Sequence, residues 1–540
     1  MSEQPASPAP RPRYAWSVPG WRSEHPDPSG LAPEIWCYTD HFSYAAGGLV
    51  DVHVHTTADR YSLRVVRDGA EPREVYRADD LPGRICKTPE DSYATGCDWP
   101  VALTVPTGAD WSSGLYLVIV RIEVDGRAHE REHFFVLRAA HPGRHTPYAL
   151  VLTTSTMTAY NDWGGANCYR GIGADPYNDI PSPLLSTRRP IARGMLRKPA
   201  DAPRSRHSHT PPPDWIPRHE NYEWALGNGY SRHHADAFWA TYERPFVVWA
   251  EQQGYRFDYL TQHDLHFRPE LLDHYRCAVI VGHDEYWSWE MRDAVDRFTD
   301  AGGNLARFAG NFFWQIRLDE AGTTQTCYKD PRLDPLLGTD PERVTTCWDS
   351  SSIGRPGAQT MGLTGLGGGY SRYGNTTPRS SGGFTVYRPD HWALHGTDLY
   401  YGDVIGAAPV CVASFEVDGV EYAIHKGLPY ATGEDGAPEN LEILAMAPVV
   451  LGQLDKWGGT VPIGAPANEL DALLTALFED QPPEYLRGKR YGSAMIATFS
   501  RGSGTVFNAG SCEWVNGLIH RDPFTERITR NVLDRFATQN

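Results

Sequence analysis

Between Tyr275 and Ile316 the apolar positions fall in two short runs, CAVIVG (277–282) and NLARFAG (304–310), separated by one helix-length segment. Apolar runs of this length that stop abruptly read as buried parallel strands joined by a crossover helix. The first run gives way to His283-Asp284-Glu285-Tyr286 and the second to Asn311. Ligands of open parallel sheets bind beyond the carboxyl ends of the strands. His283, Glu285 and Asn311 are therefore expected to share one crevice.

Elsewhere the period changes. Residues 1–31 carry many Pro, Ser and Gly and read as an extended arm. LVDVHVHTT (49–57) alternates, YSLRVVRDG (61–69) ends in an Asp-Gly turn, and 115–137 reads as a hairpin about Asp125-Gly126. Short strands at this spacing predict an Ig-like β-sandwich over 32–140, with 141–145 as linker. Residues 146–540 read as an α/β domain with an additional β-rich C-terminal part. Its first strand is YALVLTTST (148–156), opening into AYNDWGG (159–165) and Tyr160. A helix is expected over 234–254 with Gly254 as its cap, then a strand over 256–265 ending at His263 and Asp264. Residues 340–510 return to short strands, and 520–537 form a closing helix. The Pro- and Arg-rich stretch 166–217 is long for a loop and reads as a lid or wall. Its segment 188–207 concentrates cations that either face solvent or approach an anionic ligand.

Charge narrows the choice of partner. The 67 Asp and Glu outnumber the 50 Lys and Arg, a net charge of −17, which opposes a nucleic-acid partner. No apolar run approaches the roughly 20 residues of a membrane span, and the N-terminus reads without a secretory leader. The 9 cysteines show no CxxC spacing, which suits reduced thiols in a cytoplasm, although Cys86 and Cys97 are near enough to pair if oxidised.

One formal motif is a decoy. His129-Glu130-Arg131-Glu132-His133 satisfies H-E-x-x-H, but zinc binding needs a helix. As a strand the segment holds its two imidazoles about 13 Å apart. No G-x-S-x-G, G-x-x-x-x-G-K-[ST] or G-x-G-x-x-G follows a strand. Asp284 is expected to cap the following helix, whereas His283 and Glu285 exceed what a cap requires.

The runs AYNDWGG, ERPFVVWAEQQGYRFDYLTQHDLH, VIVGHDEYWSWEMRDAVDRF, AGGNLARFAGN, CYKDP and GVEYAIHKGLPYAT resemble the family of the large (beta) subunit of N,N-dimethylformamidase over about residues 146–515. The resemblance implies a glutamine-amidotransferase-like, flavodoxin-like α/β domain and a mononuclear ferric iron held by two tyrosinates and a glutamate. It implies hydrolysis of a small N-substituted amide, a homo-oligomer and a possible small partner subunit. Carried onto this chain, the metal-binding glutamate falls on Glu285 and one tyrosine on Tyr160. The active-site histidine falls on His283, the asparagine on Asn311, the lysine on Lys329 and a further carboxylate on Glu421. Arg189-Pro190-Ile191 stands where relatives carry Arg-Pro-Tyr. That leaves Tyr169, Tyr222 or Tyr230 for the second tyrosine, with Tyr222 as the working assignment. The competing expectation is a non-catalytic or carbohydrate-binding protein that keeps the scaffold without the metal. A carbohydrate-processing variant would use Glu285 with Asp264 or Glu421.

Overall fold

The computed structural model describes residues 23–27, 29–172, 180–204, 220–368, 383–450, 474, 477–478, 482–487 and 491–538. The N-terminal part is a two-sheet sandwich. Ile35–Thr39, Leu49–Thr56 and Val101–Pro106 form one antiparallel sheet. Ser43–Ala45, Arg127–Arg138, Gly114–Val124, Arg60–Arg67 and Arg73–Pro82, in that order, form the other. The hairpin at Val124 and Arg127 turns through Asp125 and Gly126, both at positive φ (52° and 71°), the conformation of a two-residue turn that follows strand twist.

Strand Gly114–Val124 is buried over its first seven residues, and the two faces serve different cores. Tyr116, Val118 and Val120 fill the sandwich, whereas Leu115, Leu117 and Ile119 join Phe134 and Val136 in the core of the α/β part. The boundary expected near residue 140 is thus crossed by continuous apolar packing. Arg138 bridges to Asp264 (3.0 Å), and Asp68 accepts from Trp239 Nε1 (2.7 Å) and Arg244 Nε (2.8 Å).

Among the described residues, the second part is built on a mixed sheet of 11 strands. Its parallel portion runs in the order Asp258–Thr261, Tyr148–Leu152, Cys277–His283, Asn304–Gly310, Gly504–Asn508. Antiparallel strands Tyr491–Arg501, Glu442–Val450, Phe384–Val386 and Val404–Ile405 continue it. Cys277 pairs with Asn304 and His283 with Gly310, so the two strands end level. Helix Trp289–Asp300 joins them, capped by Ser288, whose Oγ accepts from Met291 N at 3.2 Å.

Three expected elements differ. Thr154–Tyr160 is a helix, so Tyr160 ends a helix and not a strand. Gln262 Oε1 accepts from Ser155 N (2.9 Å), satisfying a first-turn donor and overriding the strand preference of a Thr-rich run. The segment before Glu243–Gln252 is a series of turns broken at Phe238 (φ 71°), and Gln253 rather than Gly254 is the cap of that helix. His263 and Asp264 belong to helix Gln262–Phe267, where Asp264 completes a capping box with Thr261.

Candidate active site

Because His283 and Gly310 are register partners, the residues that follow them emerge side by side. Gly282 takes φ 84°, and a Cβ there would lie 2.2 Å from Tyr242 Cβ, so only glycine lets the chain pass and turn its next side chains into the crevice. Asn311 sits at φ 62°, held by donation of its N–H to Asp418 Oδ1 at 2.7 Å. Glu285 is fixed from behind, its carbonyl accepting from Phe313 N (3.2 Å) and Trp314 N (2.8 Å).

His283, Glu285 and Asn311 are fully buried. Trp314 Nε1 donates to Glu285 Oε1 at 2.7 Å, and the Tyr169 hydroxyl lies 2.8 Å from both carboxylate oxygens. Tyr286 Oη donates to Tyr169 Oη at 2.7 Å. The Tyr160 ring packs 4.6 Å from that of Tyr169 and 5.4 Å from His283. Lys329 places its ammonium 3.4 Å from the Tyr169 ring centroid, a cation on an aromatic face.

On the other side of His283, Nε2 lies 2.7 Å from Glu416 Oε2 and 3.4 Å from Glu285 Oε2, while Nδ1 bonds the Asp236 carbonyl at 2.6 Å. Asn311 Nδ2 donates to Glu416 Oε2 at 2.7 Å. Burial opposes charge on His283, but the carboxylates of Glu416 and Glu285 outweigh it and raise the imidazole to about 9. Burial raises Glu416 against the pull of His283. Burial, with Glu285 next, pushes the Tyr160 and Tyr286 phenols well above their ordinary range, so both are neutral until a cation joins them.

Of the residues expected here, His283, Glu285, Asn311, Tyr160 and Lys329 lie together. Glu421 is half-buried, its N–H donating to Asp435 Oδ2 at 2.5 Å, and the carboxylate against His283 is Glu416. The Tyr222 side chain lies outside the described residues. Tyr230 stacks on Trp224 at 5.0 Å, and among the described residues Tyr169 is the tyrosine whose hydroxyl meets Glu285. Asp284 does not cap. It forms an ion pair with Arg307 (Nε to Oδ2 2.8 Å), whose other amino group reaches Asp418 at 2.5 Å. Asp264 pairs with Arg138 and Arg268 instead of joining Glu285.

Most cations of 188–204 serve as internal ties, Arg188 being exposed, and 205–207 lie outside the described residues. Arg189 is buried on the carbonyls of Asn161 (2.9 Å) and Ser186 (3.0 Å), Arg197 meets Glu132 (2.9 Å), and Arg204 meets Glu513 (2.9 Å). The H-E-x-x-H motif lies in strand Arg127–Arg138, with His133 buried. Glu416 carried a signal that sequence reasoning missed: VCVASFEVDGV (410–420) embeds two carboxylates in an apolar run, a placement that requires partners.

Among the described residues no helix is long and apolar enough to cross a membrane. Over 338 residues the chain is 22% identical to the N,N-dimethylformamidase beta subunits of Alcaligenes sp. and Paracoccus aminophilus, covering 56% of this chain and 38% of each relative. The chain thus spans well under half the length of these curated relatives. A family model described as N,N-dimethylformamidase beta subunit-like, C-terminal, matches residues 62–526, reaching back into the sandwich. With that match across most of its length, the chain belongs to the N,N-dimethylformamidase beta subunit-like family.

Proposed function

We propose that the chain is a hydrolase of carbon–nitrogen bonds in small N-substituted amides, dependent on one ferric iron. The observation that carries this reading is Glu285, sealed at the mouth of a parallel strand, with the Tyr169 hydroxyl 2.8 Å from both its oxygens and Tyr160 packed alongside. Two phenols and a carboxylate are hard oxygen donors, a set whose chemistry fits a trivalent iron. Tyr160, Tyr169 and Glu285 would hold it. Bound there, the ion supplies Lewis acidity toward the amide carbonyl and acidifies water.

The remaining residues perform the proton work. His283 Nδ1–H is fixed on the Asp236 carbonyl, so Nε2 faces the site. The imidazolium gives its Nε2 proton to the departing nitrogen, and Glu416, held by Asn311, balances the charge. The Lys329 ammonium, on the Tyr169 ring, favours phenolate and lies ready to stabilise negative charge developing on the carbonyl oxygen. A small companion subunit is part of the proposal, because the relatives are named as beta subunits.

Elemental analysis of the purified protein, with hydrolysis of N-substituted formamides and acetamides, tests the reading. Stoichiometric iron that disappears with activity in Glu285→Ala is expected. A metal-free protein with intact amidase activity overturns it, and co-purification from the native host tests for the companion subunit.

A further inference from the structure

The seam between the sandwich and the α/β part holds a cavity of about 260 Å³, apart from the strand-end crevice. That is far more than the roughly 30 Å³ of one water and just under the roughly 300 Å³ at which ligand pockets begin, so its occupant is small. Three segments converge on it: Phe42 and Ser43 from the sandwich, helix Gln262–Phe267 with Arg268, and the turn at 320–322. Phe42 is buried, and the His263 ring meets it edge-on at 5.2 Å. Burial holds His263 down to about 4, so at neutral pH this ring is an uncharged aromatic surface. Phe267 is 38% exposed, and the turn sits directly on its ring: a Cβ at Gly322, where φ is 67°, would lie 2.8 Å from Phe267 Cε2.

The buried polar groups of the lining already have partners. Asp264 accepts from Arg138 at 3.0 Å and from Thr261 N and Oγ1 at 2.9 Å each, and Ser43 Oγ accepts from Arg138 at 2.6 Å. Two charges remain toward solvent. The Arg268 guanidinium is half-exposed and comes no nearer to Asp264 than 3.6 Å, and Glu320 is exposed on the turn. Aromatic walls beside one cation and one anion match a ligand that carries a ring and a charge of each sign.

We propose that this cavity is a second ligand site, which binds a small aromatic α-amino acid as its zwitterion. The ring lies against Phe42, His263 and Phe267, the carboxylate meets Arg268, and the ammonium meets Glu320. Tyr160, Tyr169 and Glu285 are not among the residues that line it. Its occupancy is therefore read without the metal, and it stands or falls apart from the amidase reading.

The test is calorimetric titration of the full chain with L-phenylalanine, phenethylamine, 3-phenylpropionate and L-alanine, which lack in turn nothing, the carboxylate, the ammonium and the ring. One equivalent of phenylalanine is expected to bind. Loss of either charge should weaken binding about two- to fivefold, as partly exposed ion pairs allow. Loss of the ring should weaken it about 10- to 100-fold. Arg268→Ala should abolish the advantage of phenylalanine over phenethylamine, and Glu320→Gln its advantage over 3-phenylpropionate. Both variants alter exposed side chains, so the fold is retained. Phe267→Ala should weaken phenylalanine and phenethylamine alike. Absence of phenylalanine binding at millimolar concentration, or discrimination unchanged in either charge variant, overturns the proposal and leaves the amidase reading standing.

Discussion

Asp284 and Glu285 are adjacent and equally sealed from water, yet their surroundings are opposite. Asp284 is met directly by the Arg307 guanidinium, while the hydrogen bonds to Glu285 come from Trp314 Nε1 and Tyr169 Oη, with His283 Nε2 farther off at 3.4 Å. Asp284→Ala would leave a buried guanidinium half-paired and should cost about 3–5 kcal/mol in a urea titration while iron is retained. Glu285→Ala should lose the iron at little cost in stability. A second pair of variants addresses the tyrosines: Tyr169→Phe should lower iron content by metal analysis, and Tyr222→Phe should leave it unchanged. At this scale the strand-end residues His283, Glu285 and Asn311 were legible, because a polar group directly after an apolar run has few places to go. Glu416 was not, and Tyr169 was legible only as one of three candidate tyrosines, because each reaches the site from an irregular segment whose path no local pattern specifies.

Among the elements, Glu243 ties helix Glu243–Gln252 to the end of strand Tyr148–Leu152, its Oε1 accepting from Thr153 Oγ1 at 2.6 Å. Burial, resisted by the Thr153 contacts, raises this carboxyl to about 7 from an ordinary 4.5. Between those values the unfolded chain binds fewer protons at this group than the folded one, so its contribution to stability falls as pH rises. Glu243→Gln should flatten that part of the profile, seen as a smaller drop in urea midpoint from pH 5 to pH 7.5 than in wild type. Period and turn chemistry made most elements readable, including both faces of the Asp125-Gly126 hairpin. The failures differ in cause: the helix at 154–160 is fixed by a side chain from elsewhere, the Ser155 amide donating to the Gln262 carbonyl oxygen, whereas 262–267 opens on its own capping box of Thr261 and Asp264.

For the molecule as a whole, the sandwich and the α/β part should unfold together, since strand Gly114–Val124 supplies both cores. Leu117→Ala, on the face directed to the α/β part, should cost about 2–5 kcal/mol and keep a single calorimetric transition. Two independent transitions would contradict the shared core. The sequence of 115–120 hinted at this, being apolar without interruption where a half-exposed strand would alternate. The basic stretch 188–204 misled for the complementary reason, since charge in a sequence carries no sign of whether its partner is solvent, ligand or the chain itself.

A strand buried on both faces over its first seven residues also governs how such a protein can be recombined. Exchanging the first 140 residues for those of a distant relative would graft Leu115, Leu117 and Ile119 onto a foreign surface, so a breakpoint at the apparent linker would cut through packed side chains. Viable chimaeras should inherit both sides of that seam from one parent, whatever loop is used to join them.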